Sequence, residues 1–137
     1  MAKPSILIDL TWTRDLIFAG SSGSASVTLD SAGVAGPSPV QALGVALAGC
    51  MTTDVTHILT KGHHPLRALS AHLVADRAPD EPHRFLRMVL RFTIDGEVPP
   101  DAVDRAIALS REKYCSVWHS MRQDIAFTVT WGREGSV

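Results

Sequence analysis

The sequence predicts an α+β fold, and three observations carry that prediction. Runs with an apolar residue at every second position, the period of a half-buried strand, occur three times before residue 31 and three times after residue 65. One long apolar segment, Ser38 to Gly62, stands between the two groups. Helical spacing returns only within residues 99–122, so strands come in runs and not as repeating βαβ units.

The first strand is predicted from Ser5 to Trp12, with Ile6, Ile8, Leu10 and Trp12 on one face. Thr13, Arg14 and Asp15 form a polar break. Leu16 to Ala19 reads as a second strand, Gly20 to Ser24 as a turn, and Ala25 to Asp30 as a third strand. Ser31 to Pro37 is a Gly/Pro loop leading into the long helix.

That helix has clear ends. Ser38 suits the N-cap, Pro39 the first helical position, and Gln41 completes a capping box. Gly62 is a natural stop. The span between them is about 35 Å at 1.5 Å per residue. Val40 to Met51 is apolar on nearly every side, which predicts a helix buried all round. Gly44 and Gly49 lower helix propensity and point to close packing by other backbone.

After a His63–Pro65 loop, Leu69 to Arg77 alternates as a strand and Ala78 to Pro82 turns the chain. Arg84 to Ile94 is the cleanest strand, with Leu86, Met88, Leu90, Phe92 and Ile94 facing one way. Pro99 to Asp101 open a helix running to about Lys113, carrying Val103, Ala106, Ile107 and Ser110 at helical spacing. Ser116 is the expected cap of a short helix, Val117 to Arg122. Asp124 to Trp131 is the last strand, and Gly132 to Val137 reads as a frayed tail.

A chain of 137 residues without a linker or repeat predicts one domain, 1–137. The formal charge of −1 gives no electrostatic case for nucleic acid or an anionic membrane. No unbroken run of 18 apolar residues exists, so no membrane span is expected. The start does not read as a secretory signal, and the expected location is the cytoplasm. In that reducing compartment Cys50 and Cys115 read as reactive or buried rather than as a structural bridge. A helix apolar on all sides needs more cover than so short a chain supplies, which predicts a homodimer.

The run Gly36-Pro37-Ser38-Pro39-Val40-Gln41, then Ala48-Gly49-Cys50, then Lys113-Tyr114-Cys115-Ser116-Val117, resembles the OsmC/Ohr family. Trp12, Leu16, Phe18 and Gly20 fit its less characterised OsmC-like branch. The resemblance implies an antiparallel sheet wrapped around a long buried central helix, in an intertwined homodimer with active sites at the subunit interface. It also implies thiol-dependent reduction of organic hydroperoxides, with no cofactor beyond an external dithiol reductant. Cys50 matches the attacking cysteine and Cys115 the resolving one. Arg14 is the implied activating cation, with Arg122 in reserve. The family's Glu, ten residues before the first cysteine, is Val40 here, followed by Gln41. Asp54, one turn after Cys50, is the substitute acid expected to orient the guanidinium.

The chemistry of such a pair is simple. A thiolate attacks the O–O bond and becomes a sulfenic acid, and a second thiol condenses with it to a disulfide. Apolar surroundings oppose thiolate formation, and a guanidinium beside the sulfur restores it. Cys115 stands at the start of a short helix, where the dipole favours its thiolate. His119, four residues on, is a further acid–base candidate. Cys50, Asp54 and His57 share a helical stripe, followed by His63 and His64. The chain lacks H-E-x-x-H and C-x-x-C, so no metal site is predicted. Leu16, Phe18, Leu43, Leu47 and Trp118 are the expected apolar lining for substrate. The competing functions are an apolar-ligand binder and a thiol redox sensor.

Overall fold

The computed structural model describes residues 2–134. They fall into two compact units that divide between Leu43 and Gly44.

In the first unit, β1 (Asp9–Arg14), β2 (Ile17–Ser22) and β3 (Ala25–Asp30) form an antiparallel meander. β3 has the predicted bounds. β1 starts later than its apolar alternation suggests, because its ladder on β2 begins at the Asp9–Ser21 pair and residues 5–8 have no strand to bond. The polar break is also part of the strand. A bulge between Trp12 and Arg14 absorbs Thr13, and Asp15, at φ 46°, makes the turn. Gly20 to Ser22 continue β2 instead of turning, and Gly23, at φ +60°, turns in their place.

Asp30 then organises the loop. Its carboxylate accepts the N–H groups of Ala32 (2.9 Å), Val34 (3.2 Å) and Ala35 (2.9 Å). These bonds favour the ionised form and hold its pKa below the usual carboxylate value, with the Arg14 charge adding to the effect. The loop ends at the predicted capping box. Ser38 N–H donates to Gln41 Oε1 at 2.9 Å, and Gln41 N–H donates to Ser38 Oγ at 3.2 Å.

The helix they start, α1 (Pro39–Lys61), runs on into the second unit. Its expected burial on all sides does not hold within the single chain. Leu47, Met51, Val55 and Leu59, spaced four apart, are buried, while Val45 is 67% exposed. One chain covers one stripe of the helix. By length and composition α1 is also apolar enough to cross a bilayer, a property that core helices share. Counting unbroken apolar runs missed this, because Thr52, Thr53 and Asp54 interrupt the run.

The second unit holds a sheet of order β4–β5–β6 (Leu66–Arg77, Phe85–Gly96, Ala126–Arg133). β4 and β5 are antiparallel, whereas β6 joins β5 in parallel. A parallel neighbour needs a long crossover, which α2 (Pro100–Leu109), a π-helical turn (Ser110–Tyr114) and α3 (Ser116–His119) provide. The chain thus builds two three-stranded sheets, one antiparallel and one mixed, where the resemblance implied a single antiparallel sheet. Met88, Leu90, Phe92 and Ile94 of β5 are fully buried, as their alternation predicts. Leu86 departs from that face. The register steps from Arg77–Phe85 to Asp76–Arg87, so Leu86 is the bulged residue, 39% exposed, and Phe85 is buried instead. β6 takes in Gly132 and Arg133, residues assigned to a frayed tail, and residues 135–137 lie outside the described residues.

Candidate thiol site

Three side chains converge in the second unit. Cys50 Sγ, Cys115 Sγ and a carboxylate oxygen of Asp54 all lie within 4.8 Å of one another. Cys50 and Asp54 come from adjacent turns of α1, so the helix repeat puts them on one face. Cys115 comes from the crossover and follows the π-helical turn.

That turn departs from the α-helix expected to run to Lys113. α2 ends at Leu109, and Cys115 N–H bonds Ser110 C=O at 2.8 Å, five residues back. Ser110 is fully buried, and its Oγ donates to Asp54 Oδ2 at 2.8 Å. The sequence puts Ser110 at helical spacing with Val103, Ala106 and Ile107 and assigns it no role. A hydroxyl on a buried face needs a partner, and that requirement was the available signal.

Cys115 itself, and not Ser116, caps α3, because Trp118 N–H donates to its Sγ at 3.4 Å. Ser116 is the first helical residue, and α3 stops at His119 instead of Arg122. Trp118 fixes this short helix on β6. Its ring meets Phe127 at 4.7 Å between centroids, and the Arg111 guanidinium lies over both rings.

The electrostatics of Cys115 run against the helix-dipole expectation. Burial pushes its thiol up from 9.0 to about 11. The Trp118 N–H pulls down, while the neighbouring Cys50 and Asp54 push up further. A four-residue helix supplies too little dipole to offset that desolvation. Cys115 is wholly buried and Cys50 is half-buried, so solvent-borne molecules meet Cys50 first.

The remaining predicted residues lie as follows. Arg14 is the last residue of β1, paired with Ile17 in the first unit, where its charge acts on Asp30. Arg122 is held by Asp124 through Nε at 2.9 Å and through Nη2. Val40 and Gln41 sit in the first turn of α1, and Gln41 is used in the capping box. Asp54 is hydrogen-bonded by a hydroxyl rather than a guanidinium. His119 Nε2–H donates to Arg111 C=O at 3.0 Å, which fixes its tautomer and occupies that nitrogen. His57 shares with Asp54, Lys61 and Tyr114 the lining of a cavity of about 590 Å³.

Of the expected apolar lining, Leu47 and Trp118 are core residues instead. Leu16 and Phe18 line a cavity of about 360 Å³ in the first unit, with Leu10, Leu29, Ser31 and Pro39. Leu43 is 40% exposed.

Residues 30–130 match the family model described as OsmC-like protein. The protein YhfA of Escherichia coli K12 is 37% identical over 109 residues, covering 77% of this chain and 81% of its own. A hypothetical protein from Aquifex aeolicus VF5 superposes with a TM-score of 0.88 at 23% identity, over 96% of this chain and 98% of that one. An organic hydroperoxide resistance protein OsmC from Legionella pneumophila superposes with a TM-score of 0.70 at 14% identity, over 96% and 99%. At such identities these two structures establish a shared fold.

Proposed function

The chain belongs to the OsmC-like protein family, and from that premise we propose that it is a thiol-dependent peroxidase reducing organic hydroperoxides. The observation that carries the proposal is the approach of the two sulfurs to within 4.8 Å, one half-buried and one buried. A disulfide needs about 2.05 Å between sulfurs, so a modest movement of the loop at Cys115 closes the bond.

Each sulfur has a different task. The Cys50 thiolate attacks the distal oxygen of ROOH, the O–O bond breaks, and ROH leaves with a proton. Cys50 is then a sulfenic acid. Cys115 meets it as a neutral thiol, since burial holds its pKa near 11. Asp54 takes the Cys115 proton and returns it to the departing hydroxide. The products are the Cys50–Cys115 disulfide and water. Asp54 thus acts on the second step, where a base is required. Its negative charge does not help the first. Arg14 is the proposed activating cation for that step, and Arg14→Ala, with lower activity but unchanged folding, is its test. An external dithiol reduces the disulfide and leaves as its own disulfide.

This cycle suits the reducing cytoplasm. A homodimer is part of the same reading. Its support is the exposure of Val45 and Leu43 on α1, of Leu10, Trp12 and Val27 on the first sheet, and of Leu16 in its first turn. Among residues 2–43 only Gly20 and Asp30 are buried, which leaves that sheet wanting a partner.

The test is consumption of cumene hydroperoxide with a dithiol reductant. Wild type turns over, Cys50→Ser is inactive, and Cys115→Ser reacts once and stalls as a sulfenic acid. Turnover by Cys50→Ser equal to wild type ends the proposal. A second reading, a binder of apolar ligands, rests on the cavity around Leu16 and Phe18. It predicts a ligand-dependent rise in Tm that survives Cys50→Ser.

A further inference from the structure

We propose that the reduced site binds a thiophilic divalent cation, Zn²⁺ first among them, through Cys50 Sγ, Cys115 Sγ and an oxygen of Asp54. No H-E-x-x-H or C-x-x-C motif marks such a site, and along α1 alone His57 is the third candidate ligand. The fold instead supplies a third ligand from the crossover, Cys115.

The donor types come first. Two thiolates and one carboxylate form a mixed soft and hard set that suits Zn²⁺ and disfavours Mg²⁺ or Ca²⁺. The distances come next. Zn–S bonds of about 2.3 Å and Zn–O bonds of about 2.0–2.2 Å put tetrahedral ligand atoms roughly 3.4–3.8 Å apart. The three atoms here lie within 4.8 Å of one another, so closing on a metal shortens any separation by at most about 1.4 Å.

The supporting contacts have the form that metal ligands use. Ser110 Oγ holds Asp54 Oδ2 at 2.8 Å, the kind of outer-shell bond that orients a metal-binding carboxylate. Trp118 N–H steadies Cys115 Sγ at 3.4 Å. Two ligands stand one turn apart on a long helix, and the third caps another, so rigid elements present all three. A dication also supplies the positive charge that two ionised thiols beside a carboxylate require. Three protein ligands leave a fourth position for water, the arrangement of an open site. Asp54 lines the 590 Å³ cavity, which gives solvent a route to its side of the cluster.

The inference does not depend on peroxidase activity. It does imply that metal and hydroperoxide compete for the same two sulfurs, because a metal-bound pair offers no free thiolate.

The experiment is titration of Co²⁺ into the reduced full-length protein without oxygen, followed by absorption. Wild type is expected to develop a thiolate-to-cobalt charge-transfer band and tetrahedral d–d bands at one equivalent, and Zn²⁺ bleaches both. Cys50→Ser and Cys115→Ser each weaken the charge-transfer band. Asp54→Asn keeps the band but lowers affinity by tenfold or more, since losing even an outer-shell partner costs roughly ten- to hundredfold. Wild type oxidised to the disulfide keeps every side chain and is expected to bind no cobalt. His57→Ala is expected to bind like wild type. Absence of the charge-transfer band overturns the proposal. So does wild-type affinity in Asp54→Asn, or wild-type affinity in both cysteine variants, where binding would belong to histidines such as His63 and His64.

Discussion

Ser110 and Asp54 meet across 56 positions of sequence, with the serine Oγ donating to Asp54 Oδ2 at 2.8 Å. The bond ties the π-helical turn to the middle of α1, where Asp54 lies within 4.8 Å of both Cys50 Sγ and Cys115 Sγ. Ser110→Ala removes the donor and leaves a carboxylate oxygen without its partner. The expected loss is about 1–3 kcal/mol of stability, read from urea unfolding of the reduced protein. Disulfide formation after a single peroxide pulse should also slow, because Asp54 is no longer held beside Cys115. A variant as stable and as fast as wild type would mean that the Ser110 hydroxyl does not hold Asp54 in place.

Burial of Cys115 makes a prediction about alkaline pH. Its thiol is raised from 9.0 to about 11, so the folded protein holds the proton more tightly than the unfolded chain does. That contribution is complete below the unfolded value and is lost as pH rises through the folded one. The urea midpoint of reduced wild type should therefore fall between pH 9 and about 11. Cys115→Ala should show a shallower fall. Parallel pH profiles for the two proteins would mean that Cys115 ionises as freely folded as unfolded.

Asp30 predicts the opposite sign. The N–H groups of Ala35 and Ala32 hold its pKa below 3.8, so its contribution is present above that value and is lost as pH falls through the folded value. Asp30→Asn should lower thermal stability at neutral pH and bring the variant and wild type together in acid. An equal gap at neutral and acidic pH would show that the carboxylate's charge plays no part in holding the loop.

Much of this architecture could be read directly. The capping box at Ser38 and Gln41 is a local hydrogen-bond pattern, and the bounds of α1 and β3 follow from local signals. Cys50 and Asp54 share a helix face by spacing alone. What the sequence concealed depended on distant partners. Leu86 leaves its face because the β4–β5 register slips by one residue, which no alternation reveals. The π-helical turn at Ser110, tied to α1 through Asp54, replaces an α-helix that propensity allowed. The raised thiol of Cys115 needed its burial, and a helix-start position pointed the other way.

The exposed side of α1 gives the last prediction. Val45 is 67% exposed, with Ala46 and Gly49 beside it, while Leu47 and Met51 on the buried stripe are at 0%. A charge at Val45 therefore leaves the chain's own core untouched and acts on whatever covers the outer side. If that cover is a second copy, Val45→Asp buries a carboxylate among apolar groups, which is costly unless the interface opens. Sedimentation should then shift from dimer to monomer, and the Tm should lose its dependence on protein concentration. Val45→Thr, of similar shape and uncharged, should stay closer to wild type. Wild type that sediments as a monomer at every concentration, with Val45→Asp indistinguishable from it, would mean that this apolar face of α1 is not where two chains meet.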